Sequence, residues 1–145
     1  GLIITGSSGL YENAMGDGYP KRGDYDYIKT KSEEVFYDPK VATKEIVDEV
    51  FQTVNDRSKL VKTLAIAKSA IRHNMAKDLP KMQTPTAIIW GAQDSVTPPS
   101  VAEEFHALLP NSSLYWIGKC GHAPMMEHPQ EFNKIMHSWI DKYQL

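Results

Sequence analysis

The stretch Pro85–Pro99, PTAIIWGAQDSVTPP, decides how the rest of this chain is interpreted. Its apolar run from Ala87 to Trp90 is short and rich in β-branched and aromatic residues, which predicts a buried parallel strand rather than a helix. Gly91 ends that strand, and Asp94 follows three residues later. Ligands of open α/β sheets bind outside the carboxyl ends of the strands, so Asp94 stands where a functional carboxylate would be expected. An ordinary turn or helix-capping aspartate fits the same position.

Length and composition indicate one globular domain. The 145 residues carry 16 basic and 18 acidic side chains, a formal net charge of −2, so no basic field points to nucleic acid or to an anionic membrane. No apolar run approaches the roughly 20 residues that a membrane span requires. The single cysteine excludes an internal disulfide and is typical of a reducing compartment. We therefore expect a cytoplasmic protein that binds neither nucleic acid nor membranes.

Residues 1–9 are predicted to form a core strand and its turn. Leu2–Thr5 is apolar and β-branched, and the glycine-rich turn Gly6–Gly9 follows it. Such a turn after a strand also fits a phosphate cradle, but the residues that follow do not indicate the helix that a cradle needs. Because an apolar strand stands at the terminus with no sequence leading into it, we expect the chain to begin in the middle of a fold.

Residues 10–84 have a different composition and are predicted to form a helical cap, or lid. Ser32–Tyr37 predicts a short helix, and Asp38-Pro39 predicts the start of another, with Asp at the cap and Pro at the first position. A further amphipathic helix is expected over Ser58–Met75. The predicted inner faces consist of Ile46, Val47, Val50, Phe51 and Val54 in the first long helix, and of Leu60, Leu64, Ala67 and Ile71 in the second.

Residues 85–145 are predicted to continue the α/β core. After the Asp94 loop come a helix, a strand and a second loop, which contains His122. Asp94 and His122 lie 28 residues apart and each follows the carboxyl end of a strand, so neighbouring loops could bring them into contact. The last helix has the clearest helical period in the chain, which predicts packing on the sheet. The predicted bounds are Pro99–Leu109 for the helix, Ser113–Ile117 for the strand, Gly118–Pro124 for the loop and about Pro129 for the start of the last helix.

This region contains two motifs, residues 89–98, IWGAQDSVTP, followed along the chain by residues 121–129, GHAPMMEHP. They resemble the acid loop and the histidine loop, G-H-x-P-x-x-E-x-P, of the α/β-hydrolases. The residues Lys119–His122 and the N-terminal stretch GLIITGSSGLYE are similar to the corresponding sequences of the meta-cleavage-product hydrolases, which cut carbon–carbon bonds. The resemblance covers the whole chain. It implies the C-terminal part of an α/β-hydrolase fold, a mostly parallel sheet flanked by helices, with a helical cap insertion.

The resemblance implies a Ser-Asp-His mechanism in which Asp94 is the acid and His122 the base. A hydroxyl is inert at neutral pH unless a base takes its proton, and a buried carboxylate holds the imidazole in one tautomer. The family sometimes places its acid after the strand that precedes the cap, and Glu12 is the acid nearest to that position. A metal site built from Cys120, His122 and His128 is the alternative by residue type, but its spacing matches no usual zinc pattern. We expect no metal and no cofactor, and we interpret Cys120 as a small buried residue rather than a reactive thiol.

The nucleophile is missing from this pattern. No G-x-S-x-G elbow occurs in the 145 residues, and the family's H-G-type oxyanion loop is absent too. We therefore expect both to lie ahead of Gly1 in sequence, with an N-terminal half of the hydrolase or another copy of the chain as partner. The expected substrate is a small molecule cleaved at an ester or a carbon–carbon bond. The ester is kept as plausible because Ala123 stands where the carbon–carbon hydrolases place an aromatic residue. The alternative is a non-catalytic binding or interaction protein; the missing nucleophile favours it, whereas Asp94, Gly121 and His122 favour the hydrolase.

Overall fold

The structure, a computed structural model, describes residues 1–10 and 21–144. Within these ranges strands and helices alternate in the second half, and helices alone fill the first half between two strands. The strands are β1 (Leu2–Ile4), β2 (Thr86–Gly91) and β3 (Ser112–Ile117), and the α-helices are α1 (Tyr25–Glu33), α2 (Lys44–Asn55), α3 (Arg57–Arg72), α4 (Pro99–Leu108), α5 (Pro124–Glu127) and α6 (Pro129–Tyr143), with 3₁₀ turns at Pro39–Val41 and Leu79–Lys81.

The three strands form one parallel sheet in the order β1-β2-β3. Ile88 in β2 is paired with Ile4 in β1 on one side and with Leu114 in β3 on the other. All six residues of β2 are buried, as expected for the central strand of a parallel sheet that is covered on both faces. The predicted α/β fold with a parallel sheet flanked by helices is therefore confirmed.

Alternate side chains of β2 face two separate cores, as the period of two in a strand requires. Ile88 and Trp90 pack with α4, whereas Ala87 and Ile89 pack with α6. The packing of α6 confirms what its helical period predicts. Phe132 and Trp139 are buried, and the other apolar residues of that period are partly buried: Ile135, Met136, Ile140 and Tyr143. On the α4 side the buried partners are Val101, Ala102, Phe105 and Leu109.

The first helix of the insert is not where the sequence pattern predicts it. Instead of Ser32–Tyr37, the helix is α1, which begins at Tyr25 because the Asp24 side chain accepts a hydrogen bond from the Tyr27 N–H at 3.1 Å. The stretch Arg22-Gly23-Asp24 has the composition of a loop, but its aspartate is an N-cap. Residues 34–37, predicted to be helical, form together with Asp38 the connection between α1 and the first 3₁₀ turn.

The predicted helix start at Asp38-Pro39 produces only a single 3₁₀ turn. The Asp38 carboxylate accepts from the Lys40 N–H at 3.0 Å and the turn ends at Val41, so the long helix α2 begins at Lys44. Proline is tolerated in the first turn of a helix because the N–H that it lacks would have no partner there, but this local start alone does not extend the helix.

Both long helices of the insert are present: α3 lies near its predicted bounds, whereas α2 begins at Lys44, five residues after the predicted first position at Pro39. Val47 is buried and the other predicted residues of α2 are half-buried. In α3, which is capped by the Asp56 carboxylate, Leu60, Leu64 and Ala67 are half-buried, and the Ile71 side chain lies outside the described set. None of the helices in the described ranges has the length and apolar character needed to cross a bilayer.

Candidate active site

The two motif loops leave the sheet side by side. β2 and β3 are paired up to Gly91 and Ile117, so the loop with Asp94 and the loop with His122 start at the same edge. A Cβ atom on Gly91 would overlap the Gly121 carbonyl oxygen, because the two loops are in backbone contact at that point. Only glycine permits this approach.

Asp94 and His122 are in direct contact. His122 Nδ1 lies 2.9 Å from Asp94 Oδ2, which confirms the contact expected from the strand order. A carboxylate can only accept, so Nδ1 carries the hydrogen and Nε2 is left as the acceptor of the neutral ring. Nε2 forms no hydrogen bond within residues 1–10 and 21–144, and the His122 side chain is 28% exposed. The imidazole is therefore oriented by Asp94 and open to a proton donor.

The Asp94 side chain is 1% exposed and uses both of its oxygens. Oδ1 accepts from the backbone N–H groups of Val96 and Thr97, each at 2.9 Å, and Oδ2 faces His122. The turn-forming interpretation of Asp94 therefore applies to Oδ1, whereas Oδ2 is in contact with the imidazole. Charge-assisted bonds from two backbone groups hold the carboxylate in place for the imidazole.

A reciprocal pair of hydrogen bonds ties the two loops together. The Gln93 N–H donates to the Cys120 carbonyl at 2.9 Å, and the Cys120 N–H donates to Gln93 Oε1 at 3.1 Å. On the α4 side the indole N–H of Trp90 donates to the Thr97 carbonyl at 3.1 Å. The acid loop is thus fixed to the histidine loop at one end and to the central strand at the other.

The glycine-rich turn after β1 packs directly against the imidazole. Gly6 has a φ of +52°, and a Cβ atom built on it would lie 2.7 Å from His122 Cε1. The hydroxyl of Thr97, in the acid loop, lies 3.4 Å from the Gly6 carbonyl oxygen, which accepts from it. The glycine serves a close approach to the site, which the sequence pattern of a strand-ending turn did not reveal.

Sequence reasoning also missed Glu127 and the connection between α1 and the first 3₁₀ turn. The His122 N–H donates to the Val35 carbonyl at 2.9 Å, and the Ser95 hydroxyl donates to the Glu34 carbonyl at 3.1 Å. Glu127 Oε1 accepts from the Gly121 N–H at 2.6 Å. A signal was present, because Glu127 is the E of the histidine-loop motif, but the pattern did not say what the residue contacts.

The other residues that the sequence suggested for a site are Cys120, His128 and Glu12. Cys120 is fully buried, and burial, with the Glu127 carboxylate close by, raises the pKa of its thiol to about 12. His128 Nε2 lies 2.9 Å from the Lys119 carbonyl, to which it can only donate. No group of three or more His, Cys, Asp or Glu side chains suited to a metal ion occurs in the described part of the chain. Glu12, the alternative acid, lies outside the described residues.

These features define a class of protein. The family model of the alpha/beta hydrolase fold matches residues 13–129 of the chain, and the chain belongs to that family. Both motif loops, with the Asp94–His122 contact, lie within the matched range.

Individual relatives extend the assignment. A crystal structure of MGS-MChE2, an alpha/beta hydrolase enzyme from the sediment metagenome of the Mar Chica lagoon in Morocco, is 72% identical with a TM-score of 0.64, over 70% of this chain and 47% of that one. A 2-hydroxy-6-oxononadienedioate/2-hydroxy-6-oxononatrienedioate hydrolase of a Pseudomonas species is 28% identical over 72% of this chain and 38% of its own length. Monoacylglycerol lipase abhd6-B of Xenopus laevis is 33% identical over 56% and 24%, respectively.

The relatives bear on one expectation from the sequence. The resemblance to meta-cleavage-product hydrolases is confirmed, since the Pseudomonas relative is such an enzyme. The chain spans between about a quarter and a half of the length of these three relatives.

Proposed function

We propose that Asp94 and His122 are the acid and the base of a serine hydrolase that cleaves a small carbonyl compound at an ester or a carbon–carbon bond. The observation that carries this proposal is the 2.9 Å contact between His122 Nδ1 and a buried carboxylate oxygen of Asp94. That contact leaves Nε2 of a neutral imidazole free to accept a proton, which is what activation of a hydroxyl nucleophile requires.

The proposed chemistry follows the two ring nitrogens. Nε2 takes the proton of the serine hydroxyl as the oxygen attacks the carbonyl carbon, and the ring becomes an imidazolium. Asp94 stabilises that cation across the Nδ1–Oδ2 bond without taking the proton itself. Nε2 then gives the proton to the leaving group as its bond to the carbonyl carbon breaks, which leaves an acyl-enzyme. Nε2 next takes a proton from a water molecule that attacks the acyl carbon, and returns it to the serine oxygen as the acid product leaves.

The proposal places the serine and the oxyanion donors on a polypeptide segment other than these 145 residues, which contain no G-x-S-x-G elbow. The free edge of β1 supports such a partner: in the described sheet β1 is paired with β2 alone, and its three residues are only half-buried. A further strand along that edge would bring its carboxyl end next to Gly6 and His122. An N-terminal half of the hydrolase fits this edge.

The substrate class rests on the relatives. Monoacylglycerol lipase and 2-hydroxy-6-oxononadienedioate hydrolase are names of enzymes that cleave next to a carbonyl group, one at an ester and the other at a carbon–carbon bond. Ala123, directly after His122, is small and buried, and it does not indicate which of the two bonds is cut.

We propose that residues 10–84 form the lid over this site, because the connection at residues 34–38 is hydrogen-bonded to both motif loops.

The test is hydrolysis of an activated ester, such as p-nitrophenyl butyrate, by the 145-residue chain alone and after reconstitution with the upstream half of the hydrolase. We expect turnover only in the reconstituted sample, with labelling by a fluorophosphonate probe on the added half. His122→Ala should abolish turnover. His137→Ala, at an exposed histidine of α6, is the matched control and should retain it.

Two outcomes would reject the proposal. Turnover by the pure chain that survives His122→Ala would mean a different nucleophile and a different mechanism. A reconstituted assembly that binds a small carbonyl ligand but neither turns over esters or carbon–carbon substrates nor reacts with the probe would instead support the non-catalytic binding protein.

A further inference from the structure

A short connection in the insert is attached to both loops of the candidate site. This connection, residues 34–38, is named the bridge segment here, and it begins directly after α1. The Ser95 hydroxyl, in the acid loop, donates to the Glu34 carbonyl at 3.1 Å. The backbone N–H of His122 donates to the Val35 carbonyl at 2.9 Å. The acid loop and the histidine loop are therefore both hydrogen-bonded to the bridge segment.

Glu127 forms the other half of this attachment. Its Oε1 accepts from the Gly121 N–H at 2.6 Å, one residue before His122. Its Oε2 accepts from the N–H groups of Tyr37 and Asp38 in the bridge segment, at 2.8 and 3.3 Å. One carboxylate thus joins the histidine loop to the insert across about ninety residues of sequence.

The charge of Glu127 has no counter-ion in the part of the chain that the structure describes; its partners are three backbone N–H groups and the Cys120 thiol, whose sulfur lies 3.8 Å from Oε1. The bonds from Gly121 and Tyr37, at 2.6 and 2.8 Å, have the short lengths of charge-assisted bonds, which are about twice as strong as neutral ones, whereas the bond from Asp38, at 3.3 Å, is longer. Without the side chain the N–H of the buried Gly121 would lose its partner, and those of the exposed Tyr37 and Asp38 would be left to water. Such an arrangement is selective for the position of the carboxylate, since each oxygen has its own partners.

The two segments that Glu127 joins are also in steric contact. A Cβ atom on Gly121 would lie 2.6 Å from the Val35 carbonyl oxygen and 2.8 Å from the Tyr37 nitrogen. A shift of the bridge segment therefore displaces the backbone on which His122 is mounted. Within the described residues the acid loop is hydrogen-bonded to the bridge segment only through the Ser95 hydroxyl, and the Asp94 carboxylate is also held by Val96 and Thr97 within its own loop. A shift of the bridge segment would therefore move the two loops unequally and change the Nδ1–Oδ2 geometry.

We propose that Glu127 is a positioning residue that fixes His122 against Asp94 by holding the histidine loop to the bridge segment. This inference rests on the proposed function, in which His122 is the base. It assigns to the insert a role in base geometry besides any role as a lid. Small misplacement of a reacting group is costly, about 100-fold in rate for 1 Å.

The first test needs no activity. In Glu127→Ala we expect the amides of Gly121 and Tyr37 to exchange with solvent at least about tenfold faster, since a hydrogen bond to a charged group contributes about 1.4 kcal/mol or more. The downfield proton resonance of His122 Nδ1–H, which reports the bond to Asp94, should broaden or shift. Glu131→Ala removes a neighbouring exposed carboxylate and should change neither signal.

The second test uses the reconstituted hydrolase. Glu127→Ala should lower kcat about 10- to 100-fold with KM within about twofold, because the acceptor geometry rather than substrate binding is lost. Glu127→Gln keeps one acceptor oxygen and should give an intermediate kcat and faster exchange of only part of the three amides. It decides the question if the alanine variant does not fold.

The outcomes separate the two proposals. If Glu127→Ala or Glu127→Gln folds with unchanged amide exchange and an unchanged His122 resonance, or if kcat falls only in proportion to the folded fraction, the positioning role is wrong. If the wild-type assembly has no hydrolase activity, the proposed function fails, and the exchange and resonance data still decide what Glu127 does to His122.

Discussion

Replacing Asp94 separates the two roles that its two oxygens have in the structure. In Asp94→Asn the side-chain oxygen can keep the bonds from Val96 and Thr97, now to a neutral acceptor. Each of these bonds weakens by about 1 kcal/mol, and the lower cost of burying a neutral group offsets part of that loss. We expect the free energy of unfolding to fall by about 1 kcal/mol.

The amide NH₂ of the asparagine would then face His122 Nδ1 in place of Oδ2. Because an NH₂ donates, Nδ1 must become the acceptor and the ring hydrogen moves to Nε2. The base can no longer accept a proton from serine, so kcat of the reconstituted hydrolase should fall about 1,000- to 10,000-fold.

Asp94→Ala provides the contrast. It leaves the buried N–H of Thr97 and the part-buried N–H of Val96 without their partner, at up to about 1–3 kcal/mol each, so the free energy of unfolding should fall by about 2–5 kcal/mol. Urea denaturation of the two variants and of the exposed control Asp141→Asn, with ester turnover in parallel, measures both effects. Equal stability of the two Asp94 variants, or asparagine activity within tenfold of wild type, would refute this reasoning.

Three further predictions concern the same loops. Gly91→Ala should prevent folding or cost more than about 4 kcal/mol, because the new methyl group overlaps the Gly121 carbonyl; Gly118→Ala, with open space around it, should cost under about 1 kcal/mol, and thermal melting compares them. The Cys120 thiol, with its pKa raised to about 12, should react with Ellman's reagent at pH 8 only when the chain is unfolded, whereas rapid labelling of folded protein would contradict its burial. Since the unfolded thiol ionises near its ordinary value of 9.0 and the folded thiol does not, stability should decline between pH 9 and about 12 more steeply in wild type than in Cys120→Ala, as measured by urea titration at each pH.

Local patterns in the sequence determine a large part of this protein. The apolar run of β2, the helical period of α6 and the order of the two loops predict the parallel sheet and the contact between Asp94 and His122. These features depend on neighbouring residues and on strand order, so no knowledge of distant contacts is needed. The misplacement of the first insert helix has a local cause too, since the N-cap at Asp24 lies in a stretch that also has the composition of a loop.

Only the tertiary structure decides how the site is held together. Gly6 beside the imidazole, Gly91 against Gly121 and Glu127 beneath the bridge segment join residues that are far apart in sequence. Each of these contacts arises from backbone groups meeting at a particular distance after the sheet and the insert have packed. A backbone N–H or carbonyl is the same in every residue except proline, so sequence alone carries almost no signal for which of them a glutamate will meet or a glycine will admit.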